Sequence, residues 1–128
     1  MAGYSGTPLP QKLGIRDGSR VRLVGQPEGF ARVLGVVPRP RGEADVIVLF
    51  TRSTAELSRK FPAARKALRQ DGGLWIAWPK KASGVSTDLT EAQVRGFGLA
   101  QGLVDNKVCA IDETWSGLRF VVRLADRS

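Results

Sequence analysis

Residues 72–93 read GGLWIAWPKKASGVSTDLTEAQ. Two glycines lead into an apolar strand over 74–78, a basic loop containing Gly84 follows, and the segment closes on a helix start. Thr90 and Gln93 are spaced as a capping box, with Leu89 and Val94 placed as a hydrophobic staple. Strand, loop and helix in that order make the ligand-binding edge of an α/β sheet. The layout marks a place for a ligand, not a reaction.

Upstream, residues 44–50 (ADVIVLF) form a continuous apolar run that suits a strand buried on both faces, the habit of parallel sheets. Ser53 and Glu56 form another capping-box pattern, for a helix running to about residue 70. Leu57, Phe61, Ala64 and Leu68 share one stripe of it, and Arg52, Arg59 and Lys66 fall on the opposite side. Pro62 is expected to kink or restart this helix, and Asp71-Gly72-Gly73 to end it. Earlier still, Asp17-Gly18 signals a turn into a strand over 20–24, followed by a short helix over 28–34. Residues 36–42 (VVPRPRG) read as an extended, proline-stiffened basic connection. The first 18 residues read as an arm, with Thr7 as N-cap, Pro8 at the first helical position, and Leu9, Leu13 and Ile15 pinning it down.

Downstream, a helix over 91–101 contains Gly96 and Gly98, which predicts close packing on the sheet. Strands follow over 107–111 and 118–124. Their short connection allows a hairpin but not a crossover, so the last strand is antiparallel. The expectation is an α/β, three-layer Rossmann-like domain of about five strands, mainly parallel with a C-terminal antiparallel strand. Residues 1–128 form a single domain, with 1–18 as its arm.

At 128 residues, with 42% hydrophobic and 25% charged residues, the chain has enough material for one real core. No apolar run approaches the ~20 residues of a membrane span, and the N-terminus lacks an export signal. The single cysteine, Cys109, excludes an internal disulfide, and its mid-strand position suits a small buried hydrophobe. A cytoplasmic location is expected. Charge is uneven: residues 1–70 hold 13 Lys/Arg against 5 Asp/Glu, whereas residues 71–128 hold 7 of each. The excess favours acidic partners such as nucleic acid or phosphorylated ligands, although a solvated basic surface reads the same way.

Ligands of such sheets bind beyond the carboxyl ends of the parallel strands. That edge would collect Gly25, Gln26, Arg52, Lys80, Lys81, Asp112, Glu113 and Trp115. The 80–84 loop offers two ammonium groups, the Ser83 hydroxyl and backbone N–H groups at Gly84 to an anion. Trp78 could wall that site or belong to the core, and Trp75 should face the other side of its strand. Trp115, in the hairpin loop, could stack on a base or ring, or cover the edge of the core. Asp105, Asp112 and Glu113 could serve acid–base chemistry, or a turn with a surface salt bridge. The chain has no histidine, which excludes Ser-His-Asp and Cys-His arrangements and histidine-liganded zinc. No metal site is expected.

The segments AGYSGTPL, LWIAWPKKASG, TDLTE and LVDNKVCAIDETWSGL together resemble a small bacterial family recorded as a domain of unknown function. The resemblance runs from Ala2 to about Arg123 and implies a fold rather than an activity. The run over 44–50, the glycines before Leu74 and the closing strand pair are distantly similar to the second half of the class I methyltransferase sheet. That resemblance implies the strand order 1-2-3-5-4. The glycine-rich cofactor motif after the first strand and the strand bearing the acidic ribose contact are both missing here. A degenerate version that has lost or changed its ligand is therefore implied, and no cofactor is expected.

Three functions follow. The first is a non-catalytic domain binding a small anionic ligand or a protein partner through Gln26, Lys80, Lys81, Ser83, Gly84, Asp112, Glu113 and Trp115. The second is nucleic-acid association through Arg39, Arg41, Arg52, Arg59 and Lys66, which requires those side chains to form one face. The third is a small transferase. Dimerisation through an exposed edge strand is compatible with any of them.

Overall fold

The computed structural model describes residues 6–128; the expectations placed on Met1 to Ser5, part of the arm, lie outside them. Five strands form one open sheet in the order β1-β2-β3-β5-β4: β1 Val21–Val24, β2 Ala44–Phe50, β3 Leu68–Pro79, β4 Leu103–Ala110 and β5 Trp115–Val122. β1, β2 and β3 pair in parallel, and β5 is antiparallel to both β3 and β4. β4 therefore runs the same way as the first three strands, and their carboxyl ends share one edge.

Among the described residues four α-helices connect or precede the strands: α1 Leu9–Lys12, α2 Phe30–Leu34, α3 Thr54–Ala67 and α4 Glu91–Ala100. Side-chain alternation along the strands separates two cores. On one face, Ile47, Leu49, Leu74, Ile76, Trp78, Leu118 and Phe120 meet Leu57, Phe61 and Ala64 of α3 and Val94 of α4. On the other, Val46, Val48, Phe50, Trp75 and Trp115 meet Leu13 of the arm and Phe30 and Leu34 of α2. Trp75 and Trp78 thus face opposite sides, as their spacing requires. Leu13 is fully buried, and its carbonyl accepts the Trp75 indole N–H at 3.0 Å. Leu9 and Ile15 pack on the same core. The arm is part of the fold.

The helix starts follow their sequence signals. The Ser53 hydroxyl accepts the Glu56 N–H, and Thr90 and Gln93 form the full reciprocal box. α1 begins at Leu9 rather than Pro8, with Pro8 at the cap and no side-chain cap bond. α3 continues through Pro62 without interruption. The ring denies only the bond to the Ser58 carbonyl, and Ser58 is exposed, so water can take that place.

The end of α3 departs from expectation. The helix stops at Ala67 because Leu68 turns extended and pairs with Ala44. The glycines expected to end it lie inside β3, in an irregularity where Leu68 and Gly73 oppose Ala44 and Val46. A Cβ at Gly72 would fall 2.6 Å from the Asp45 carbonyl oxygen, and one at Gly73 would enter the Arg119 guanidinium. These glycines admit close neighbours instead of making a turn. β4 and β5 also begin earlier than expected, at Leu103 and Trp115.

Candidate functional site

The carboxyl edge is drawn together by hydrogen bonds between segments distant in sequence. The Lys80 N–H donates to the Thr114 carbonyl at 2.8 Å, joining the loop after β3 to the β4–β5 hairpin. The Thr87 hydroxyl donates to the Arg52 carbonyl at 2.6 Å, and the Thr54 N–H donates to the Asp88 carboxylate at 2.9 Å. These bonds tie the residues after β2 to the segment leading into α4. The Arg52 guanidinium lies 5.9 Å from the centre of the Trp115 ring, within cation–π range.

Within this frame the 80–84 loop turns through a short 3₁₀ segment, Lys81–Ser83. Ser83 is occupied by the loop itself: its hydroxyl donates to the Lys80 carbonyl at 2.6 Å and accepts from the Val85 N–H at 3.2 Å. Gly84 supplies the left-handed residue that closes the turn, at φ 77°. Lys80 is half-buried and Lys81 exposed. Among the described residues neither they nor Arg52 form an ion pair. A groove of about 300 Å³ opens between Lys80, Lys81, Thr90, Glu91 and Ser116, with Trp78 in its wall. Trp78 is both core and wall.

The hairpin side is more structural than its sequence implies. One oxygen of Asp112 accepts the N–H groups of Thr114 and Trp115, each at 2.8 Å. That carboxylate shapes the turn. Trp115 is not an exposed tip. It is 5% exposed and meets Phe50 edge-on at 5.0 Å, while Phe50 meets Phe30 at 4.9 Å. Trp115 opens β5 with its side chain on the core face, so burial decides its role. Glu113 stays exposed.

At the end of β1, Gln26 is exposed and the neighbouring ground is occupied. The Lys60 ammonium donates to the Phe50 carbonyl at 3.4 Å and pairs with Glu56 at 3.3 Å. A Cβ at Gly25 would fall 2.5 Å from that nitrogen. Sequence reasoning missed Lys60; its place four residues after Glu56 on α3 was the available signal. Burial alone would raise the Glu56 carboxyl, but the Arg52 N–H and the Lys60 ammonium outweigh it and hold it below its ordinary value.

The five residues considered for nucleic acid lie on several elements. Arg52 is at the carboxyl edge over Trp115. Arg59 is on α3, 4.0 Å from Glu56. Lys66, in the last turn of α3, shares a groove with Gly42, next in sequence to Arg41. Arg39 donates its N–H to Val21, on the outer edge of β1. Asp105 is bound by Arg95 at 2.9 Å. Cys109, half-buried on the edge strand β4, has its thiol pushed up by burial against the opposing pull of Lys12 and Lys107. No group of three or more His, Cys, Asp or Glu able to hold a metal ion occurs among the described residues, and none of their helices is long and apolar enough to cross a membrane.

The chain matches no family model, and no curated protein matches it in sequence.

Proposed function

We propose that the carboxyl edge of the sheet binds a small anionic ligand, with Lys80, Lys81 and Arg52 as its contacts, in a binding rather than catalytic role. The observation that carries this reading is Lys80 and Lys81 lining a groove walled by Trp78, with Arg52 at the same end of the sheet over Trp115, and none of the three in an ion pair among the described residues. Cations left without acids attract anions, and a partly apolar wall adds the orientation that charge alone does not. Ser83, Gly84 and Asp112 then shape the loops around the ligand, and Gln26 and Glu113 lie at the margin.

We further infer a Rossmann-like, three-layer fold, akin to the second half of the class I methyltransferase sheet and to the bacterial family that the sequence resembles. The strand order and the antiparallel β5 support this. The Lys60 ammonium beside Gly25 accords with a domain that has changed its ligand. A cytoplasmic site of action fits a single free thiol.

The test is a thermal-shift screen of nucleotides, adenosylmethionine and phosphorylated metabolites against the wild type and a Lys80→Ala/Lys81→Ala variant. A ligand of the folded state raises the midpoint by mass action. The expected result is a small-molecule shift that the double substitution abolishes. A panel without any small-molecule shift sinks the reading.

A further inference from the structure

At the opposite end of β1, away from the carboxyl edge, the chain presents a different surface. Residues 15–19 and 34–37 border a groove of about 350 Å³, with Ile15, Leu34 and Val36 among its lining. Gly35 closes α2 in the left-handed conformation at φ 70°. After it, Val36 packs on the core while Val37 turns out to solvent. Val37 is 92% exposed and Val33, four residues before it, 70% exposed. They are two of the most exposed large apolar residues among those described.

The charges along the same segments of chain are as one-sided. Residues 32–41 contain three arginines and no acid. Among the described residues Arg16, Arg32, Arg39 and Arg41 form no ion pair, whereas Arg20, Arg59, Arg69 and Arg95 all do. Asp17 is the one acid lining the groove. Pro38 and Pro40 stiffen the segment, which lowers the entropy lost on docking.

We propose that this surface docks an acidic peptide segment of a partner protein, its aliphatic side chains packing on Val33 and Val37 and its carboxylates meeting the four arginines. The composition separates this occupant from nucleic acid. Arginine is the cation of these segments, residues 13–59 holding no lysine, and beside protruding aliphatic groups it makes a protein-interface composition. A single-stranded nucleic acid would call for exposed aromatic rings to stack its bases, and Phe30, the one aromatic of α2, is buried.

The experiment pans a random peptide display library on the full chain and on a Val33→Asp/Val37→Asp variant, with circular dichroism confirming that the variant is folded. The peptides recovered on the wild type should be net acidic with aliphatic residues, and recovery on the variant should fall at least about tenfold. Enriched peptides without acidic bias, or equal recovery on both proteins, overturn the proposal. So does an absence of enriched peptides, and oligo-dT binding wild type and variant alike would then assign the arginines to nucleic acid. The Lys80→Ala/Lys81→Ala variant should recover the same peptides as the wild type, which keeps this result separate from the ligand reading.

Discussion

Gly96 and Gly98 are two positions apart on α4 and meet opposite surroundings. A Cβ at Gly96 has nothing within 4 Å, whereas one at Gly98 would enter the ring of Phe120. Neither residue has a positive φ, so the outcome of adding a methyl group rests on packing. Gly96→Ala is expected to stabilise the protein by about 0.4–1 kcal/mol through reduced unfolded-state entropy. Gly98→Ala should destabilise it by about 1–3 kcal/mol through overpacking. Chemical denaturation of the two variants checks both signs. The sequence foretold close packing for the pair, but helical spacing alone does not reveal which of two neighbouring glycines faces a ring. Gly72 and Gly73 teach the same lesson: read as a turn, they instead leave room for the Asp45 carbonyl and the Arg119 side chain.

At the scale of elements, the β4–β5 hairpin depends on one oxygen of Asp112. Asp112→Asn keeps an acceptor there and should change stability by less than about 0.5 kcal/mol, whereas Asp112→Ala leaves two N–H groups without it and should cost about 1–2 kcal/mol. Equal losses for both would show that the negative charge, not the turn, is what matters. At the start of α3, the Glu56 carboxyl is held below its ordinary value of 4.5. A lowered value means the unfolded chain binds that proton more readily, so the stabilisation is present above about pH 4.5 and lost as pH falls below it. Wild type should therefore be more stable than Glu56→Gln near neutral pH, and the gap should close under acid. Denaturation curves taken across that range measure it. Both capping signals were legible, because a cap is a local contact between residues three apart. For Lys60 the spacing marked only the pair with Glu56; its reach to the Phe50 carbonyl and Gly25 is set by the ends of two neighbouring strands.

For the whole molecule, two cores on one sheet make the arm a structural partner. Leu13→Ala would leave a cavity beneath Trp75 and remove no strand, yet it should cost about 2–5 kcal/mol. The denaturation midpoint should fall with the slope unchanged; a midpoint within error of wild type would mean that the arm is only a loose cover. The alternation of strand and helix signals, the buried run of β2, the capped starts of α3 and α4 and the antiparallel close were all determined by the sequence alone, since each rests on neighbours within a few positions. The candidate ligand residues were also traceable that far, because parallel strands send their following loops to one edge. Tertiary structure alone decided what those loops do. It buried Trp115 under Arg52, turned Ser83 and Asp112 inward to hold their own loops, and brought Lys60 to the end of β1. It also left Val33 and Val37 exposed, close in the chain to arginines that pair with no acid among the described residues. Such outcomes depend on which faces meet across the sheet, and no local spacing in a sequence carries that information.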